Sequence, residues 1–227
     1  MLGDKKISVV IPCLNEESGL AYLFETMPNF IDEVIIADNT STDKSTEIAK
    51  KYNAKVLTEK VKGYGIVLLK GLKHATGDTI IIMDGDGTYT AERLKELCTF
   101  LEDNDYDFIS GCRFPLTDFM AMPFINRVSN YFISWLIRKV FKVNIQDSQS
   151  GLMLFKKGIL NKISIYNKGM GFSQEIKIKA WLSNKIKCGE MHIPYNIRIG
   201  KVKFRKIKDG LKNLYGLYQL AKDLKTK

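Results

Sequence analysis

"IIIMDGDGTY", residues 80–89, runs four apolar residues straight into two aspartates, Asp84 and Asp86, separated by one glycine. An apolar run without polar alternation has no solvent face, so it reads as a strand covered on both sides, as in a mostly parallel sheet. Asp-Gly is also hairpin chemistry. Here the pair follows a buried rather than an alternating strand, which puts two carboxylates at the end of a covered strand and points to a site.

Four further runs share that character: "ISVVIP" (7–12), "EVIIAD" (33–38), "AKVLT" (54–58) and "DFISGC" (107–112). Between them lie helix-like segments: "EESGLAYLFETM" after Asn15, "DKSTEIAKKY" after Thr42, "GIVLLKGLKHA" before Gly77 and "AERLKELCTFLE" after Thr90. Asn15, Thr42 and Thr90 are the expected N-caps and Gly77 the expected stop. This β–α alternation predicts an α/β fold with a doubly wound, mostly parallel sheet flanked by helices. Past Gly111 the pattern changes to a long amphipathic run, "FINRVSNYFISWLIRKVF" (124–141), then "GLMLFKK", a helix around "SQEIKIKAWLSN", a strand-like "KCGEMHIPYNIRI" and a basic amphipathic helix. With 227 residues and no linker or repeat, one domain is expected: a nucleotide-binding half over 1–113, an acceptor half over 114–200 and a basic tail over 201–227.

The four cysteines form no CxxC pair and the two histidines are far apart, which argues against a zinc site and for a reducing compartment. The first apolar run is too short for a signal peptide or a membrane span, so a cytoplasmic location is expected. The formal charge is +10, and nine Lys/Arg against two Asp lie from Lys201 onward. Within the tail Ile207, Leu211, Leu214, Tyr218 and Ala221 recur at helical spacing, widened by Leu217, Leu220 and Leu224. That face suits either an anionic membrane surface or packing against the sheet. The run at 124–141 carries Arg127, Arg138 and Lys139, too costly for a span, and reads as an interfacial or core helix.

In an open α/β sheet the ligand crevice lies beyond the carboxyl ends of the strands. Asp38, Asp84, Asp86, Asn15 and Glu16 would all reach that rim. Two carboxylates one residue apart, with Gly85 and Gly87 letting the backbone bend, suit a hard divalent ion that also takes phosphate oxygens, so Mg2+ or Mn2+ on a diphosphate is the natural occupant.

"VVIPCLNEE", "VIIADNTSTDKS", "GYGIVLLKGLKHATGDTIIIMDGDGTY", "DFISGCRF", "DSQSGLMLF" and "RIGKVKF…IKDGL" resemble, in order and over nearly the whole chain, the motifs of family 2 glycosyltransferases with the GT-A fold. The resemblance is nearest to the polyprenyl-phosphate sugar transferases of the dolichol-phosphate mannosyltransferase branch. It implies that Pro12, Leu14 and Glu16 contact the nucleoside and that Asp38 lies near the base or ribose. It makes Asp84 and Asp86 the DxD pair, Asp86 holding the metal, with Thr88 a further ligand nearby. Arg113 is implied for the donor, Arg127, Arg198 and Lys203 for donor or acceptor phosphates. Glu175 and Asp147 match acidic positions able to line the acceptor site. Glu175 also reads as a first-turn glutamate behind an N-cap at Ser173. Asn39, Met153 and Val202 depart from the family pattern, which bears on sugar and acceptor choice.

The implied activity is an inverting, metal-dependent transfer from a nucleotide-diphosphate sugar to a dolichyl or undecaprenyl phosphate, by a peripheral protein on the cytoplasmic face of a membrane. An anchoring subunit or a second copy are open as partners. Alternatives are transfer to a glycan hydroxyl, which needs a carboxylate base, and a nucleotidyltransferase, whose Gly-rich phosphate loop "IPCLNEE" does not supply. A basic nucleic-acid-binding module would not need Asp84 or Asp86, and no nucleic-acid partner is expected.

Overall fold

The computed structural model describes residues 4–200 and 206–225. Its elements are β1 (Ile7–Cys13), α1 (Glu17–Glu25), β2 (Glu33–Asp38), α2 (Ser45–Lys51), β3 (Lys55–Thr58), α3 (Tyr64–His74), β4 (Thr79–Ile82), α4 (Leu94–Asp103), β5 (Phe108–Cys112), α5 (Phe124–Phe141), β6 (Met153–Lys156), α6 (Phe172–Leu182), β7 (Cys188–His192) and α7 (Lys206–Lys225). The strands form one seven-stranded sheet in the order β3-β2-β1-β4-β6-β5-β7.

Strand residues with successive numbers enter opposite cores, as a doubly covered sheet requires. Val9, Ile11, Ile36 and Ile81 pack on one face with α1 and α4, while Val10, Ile35, Ile80 and Ile82 pack on the other with α3 and α6. A third cluster joins Ile137 and Phe141 of α5, Ile178 of α6, and Leu217 and Leu220 of α7. The tail helix therefore spends at least part of its apolar face on packing, although Tyr218, counted on that face, is exposed. Among the described residues no helix is long and apolar enough to cross a membrane.

The sheet is mostly parallel, as expected, with β6 running antiparallel to both β4 and β5. Two expectations are corrected. β3 is not buried on both faces: it is the edge strand, with Lys55 and Thr58 exposed. The expected caps do not cap. Helix α1 begins after Glu16 and α2 after Lys44, neither with a side-chain cap bond, Thr90 makes none to the 3-10 turn Ala91–Arg93, and α6 follows Gly171 rather than Ser173. Asn15 instead sits at φ 54° and accepts from the Thr42 N–H at 2.7 Å, while its own N–H donates to Ser41 Oγ at 2.9 Å. Short polar side chains at positive φ serve turns as readily as caps, and this one ties the loop after β1 to the loop after β2. Gly77 lies beyond the end of α3, where its N–H donates to Ser8 Oγ at 2.8 Å.

The chain turns outward in one direction from β1 through β2 to β3, then returns to the other side of β1 with β4. That makes the gap between β1 and β4 the switch point at which such sheets bind ligands. β1 pairs with β4 only as far as Val10 opposite Ile82. Val10 and Pro12 share the parity that faces β4, so the N–H that Pro12 lacks would point where pairing has already ended.

Candidate active site

Asp84 and Asp86 leave β4 at this gap. Gly87 takes φ 77°, which turns the chain back, and the Asp86 carbonyl then accepts from the Ile199 N–H at 2.9 Å. Only Gly87 bends by a left-handed residue; Gly85 serves by smallness, since a Cβ there would stand 3.0 Å from both Ile11 and Leu20.

The Asp84 Oδ1 accepts from the Tyr64 hydroxyl at 3.1 Å. Burial, then the neighbouring Asp86 charge, push the Asp84 carboxyl up to about 7. The two carboxylates thus share a site that disfavours charging both, which a cation would relieve. Gly151 closes over Asp84: a Cβ there would lie 2.3 Å from Oδ2. The Tyr89 hydroxyl accepts from the Gly151 N–H at 2.7 Å, fixing that approach.

Asp86 is 6% exposed. Its Oδ1 accepts from Thr88 Oγ1 at 2.6 Å and Thr88 N–H at 3.1 Å. Its Oδ2 pairs with Arg198 Nη1, and Arg198 Nη2 pairs with Glu16 Oε1. Arg198 Nε is buried with no hydrogen-bond partner among the described residues, a donor that an anionic oxygen would satisfy.

On the side of β2, Asp38 ends the strand opposite Cys13. It accepts from the Thr40 N–H at 3.0 Å and the Ser41 N–H at 3.1 Å, bracing the loop beside Asn15. Asn39 donates to the Glu59 and Val61 carbonyls, each at 2.9 Å, and accepts from the Gly63 N–H at 3.0 Å. An aspartate could not donate to those carbonyls, so the departure from the family pattern at Asn39 has a local reason. Pro12 is buried in β1 and Leu14 is half-buried beside it.

On the other side, Arg113 directly follows β5 and clamps Asp147. Nε donates to Oδ2 at 2.7 Å, Nη2 to Oδ1 at 2.9 Å, and the Arg113 N–H to Oδ2 at 3.0 Å. Arg113 holds the Asp147 carboxyl below the usual carboxylate range against the cost of burial. The guanidinium also lies 5.0 Å from the Tyr195 ring centroid, a cation–π contact. Glu175 is 6% exposed, and its carboxylate accepts from the Tyr166 N–H at 3.1 Å, the Asn167 N–H at 2.6 Å and Lys179 Nζ at 2.5 Å. Arg127 stacks on Phe119 and Phe124 at 5.1 and 5.4 Å, away from the carboxylate pair's contacts. Lys203 and Val202 lie outside the described residues.

The structure thus joins Glu16, Asp84, Asp86, Thr88 and Arg198 in one cluster. Asp147 and Arg113 form a second, linked to the first through the loop that ends at Gly151. Sequence reading passed over Tyr64, Tyr89, Gly151 and above all Lys177. That lysine is fully buried, and its Nζ donates to the Ser150 carbonyl at 2.7 Å and the Asp147 carbonyl at 3.1 Å, beneath the loop covering Asp84. Burial pulls its ammonium down to about 8. Its signal was the flanking Ile176 and Ile178, which with Lys177 leave that stretch of α6 no solvent side.

The sequence profile described as Glycosyl transferase family 2 matches residues 8–163. The chain belongs to that family. It is 28% identical over 216 residues to the low-salt glycan biosynthesis hexosyltransferase Agl6 of Haloferax volcanii, covering 92% of this chain and 52% of that protein. The dolichyl-phosphate hexose transferase of the same organism is 26% identical over 200 residues, covering 87% of this chain and 86% of its own length. The chain thus spans about half of one curated relative and most of the other. Among solved structures, glucosyl-3-phosphoglycerate synthase from Mycobacterium tuberculosis, in complex with Mn2+, UDP and phosphoglyceric acid, superposes with a TM-score of 0.77 at 17% identity, over 96% of this chain and 79% of that one. The architecture is the GT-A fold of these glycosyltransferases.

The donor set fits a hard divalent cation: oxygen ligands only, on two carboxylates that burden each other. Among the described residues no three His, Cys, Asp or Glu side chains gather to hold an ion. Two carboxylates with remaining ligands from a diphosphate and water are what Mg2+ commonly takes.

Proposed function

We propose that the chain transfers a sugar from a nucleotide-diphosphate sugar to a polyprenyl phosphate such as dolichyl or undecaprenyl phosphate, with inversion, at a cytoplasmic membrane face. The reading rests on Asp84 and Asp86 at the β1–β4 switch point, with the unpartnered Arg198 Nε beside them.

Asp38 and the loop after β1, with Pro12, Leu14 and Glu16, would hold the nucleoside. Asp84 and Asp86, with Thr88 at their side, would hold Mg2+ or Mn2+, which when bound offsets charge on the diphosphate. Arg198 would turn its Nε to a phosphate oxygen, and Arg113 would keep the acceptor-side loop in place through Asp147. An acceptor phosphate oxygen bonds to the anomeric carbon as the bond to the donor's diphosphate breaks, and the nucleoside diphosphate leaves. Arg127 and Lys203 are proposed for the acceptor phosphate.

The acceptor class is supported by chemistry as well as by the dolichyl-phosphate relative. A hydroxyl acceptor needs a base, yet of the two carboxylates implied for the acceptor site Glu175 accepts from three internal donors and Asp147 accepts four internal hydrogen bonds. A phosphate acceptor is already anionic and needs little base assistance. Incubation with a panel of nucleotide sugars, starting with UDP-glucose, plus Mn2+ and a short-chain polyprenyl phosphate should release nucleoside diphosphate. Asp86→Ala should slow release by about 10²–10³-fold. Full turnover by Asp86→Ala, or a donor consumed only with a glycan acceptor, would reject this reading.

A further inference from the structure

The tail was the expected membrane-facing element, but Leu217 and Leu220 of α7 are buried against α5 and α6. The exposed apolar surface lies elsewhere. Phe119, Met120, Phe124, Ile125, Val128, Tyr131, Phe132 and Trp135 are between 47% and 80% exposed. On α5, residues 124, 125, 128, 131, 132 and 135 fall within an arc of about 120° at 3.6 residues per turn. That arc lies away from Ser134, Ile137 and Phe141, which face the protein. With aromatic side chains of 150–250 Å² each, the patch presents on the order of 800 Å², more than a soluble monomer ordinarily leaves to water.

Charge identifies the occupant. Between Asp118 and Asp147 there is no acidic residue, while Arg127, Arg138, Lys139 and Lys142 supply four cations. An apolar face rich in Phe, Tyr and Trp on a helix whose only charged residues are cations matches the headgroup region of an anionic bilayer, where aromatic rings and basic side chains both settle favourably. A second protein copy would bring the same cations against themselves.

The face is also joined to the site. Phe114, next to Arg113, packs on Tyr131 with ring centroids 4.3 Å apart. On the inner side of α5, Ser134 Oγ accepts from the Ser148 N–H at 3.0 Å, in the loop that Asp147 anchors and Gly151 ends over Asp84.

We propose that residues 119–135 form a docking face that inserts shallowly into an anionic lipid surface and so presents the acceptor side of the rim to the membrane. Its purpose rests on the lipid-linked acceptor reading, but its test needs neither donor nor acceptor. The full chain is mixed with vesicles of phosphatidylcholine alone or with phosphatidylglycerol, then sedimented. Wild type should bind the anionic vesicles, with a blue shift of Trp135 emission that a Trp181→Phe background isolates. The double variant Ile125→Asp/Phe132→Asp, at positions already in solvent, should keep the wild-type melting temperature and turnover of a water-soluble short-chain acceptor. It should bind vesicles at least tenfold more weakly. Tyr218→Asp on α7 should stay within twofold of wild type. Equal binding by the double variant, a wild type that ignores anionic vesicles, or a wild-type dimer that the double variant converts to monomer would each overturn the proposal.

Discussion

Asp86 and Asp147 are both buried aspartates paired with arginine, at 6% and 0% exposure, on opposite sides of one rim. Their partners differ. Arg113 reaches Asp147 from the end of β5, is itself nearly buried, and spends two of its three side-chain nitrogens and its own N–H on that one carboxylate. Arg198 comes from the segment after β7, is a quarter exposed, divides itself between Asp86 and Glu16, and keeps Nε without a partner. The first pair is closed and holds a loop. The second can exchange partners without unfolding anything, which is what a site for an anionic, cation-bearing ligand requires.

That contrast is open to attack from the side of stability. Asp147→Ala strands the Arg113 charge in the interior, so it should cost about 3–5 kcal/mol and about 10 °C in melting temperature. A loss of activity with an unchanged melt would mean that Asp147 acts at the chemistry and not on the loop.

Lys177, under the same loop, gives a pH signature. Its folded-state pKa of about 8 lies below the usual lysine value of 10.5, so the ammonium is penalised in the fold at neutral pH. Between those values the unfolded chain holds a proton that the folded chain has shed. The penalty is therefore relieved as pH rises. Measured against Lys177→Met in denaturant titrations, wild type should gain stability from pH 8 to pH 10.5, on the order of 3 kcal/mol. A flat difference would show that Lys177 keeps its charge.

The smallest effect belongs to Glu175. Glu175→Gln puts an amide among the Tyr166 and Asn167 N–H groups and Lys179, and should destabilise by about 1–2 kcal/mol. Its kcat, at a temperature where the variant is folded, should stay within about threefold of wild type. A drop of about a hundredfold or more would instead make Glu175 a base in the reaction.

The chain as far as β4 and its two aspartates was readable because its signals are local. Unbroken apolar strands, a glycine at a left-handed turn and carboxylates at strand ends all lie within a few residues of what they determine. Asp38, Asp84 and Asp86 stand where that logic puts them. The chain beyond β5 depends on partners far apart in sequence: Arg113 with Asp147, Lys177 with the Ser150 carbonyl, Glu190 with the Gln146 and Asp147 N–H groups. No periodicity encodes such pairs. The antiparallel β6 was hidden for the same reason, since "MLF" fits a buried strand in either direction. Asn15 failed as a cap because it bonds across loops, to Thr42 and Ser41, while the first N–H groups of α1 and α2, those of Glu17 and Ser45, go to Asp43 instead.

The central claim is that Asp84 and Asp86 hold a divalent cation only together with a donor diphosphate, the Arg198 pair opening to admit both. Calorimetric titration of Mn2+ into the protein, alone and with UDP, tests it directly. The account predicts weak Mn2+ binding alone, at least tenfold tighter binding with UDP, and loss of that enhancement in Asp86→Ala. Equal Mn2+ affinity with and without UDP, or an unchanged enhancement in Asp86→Ala, would contradict it.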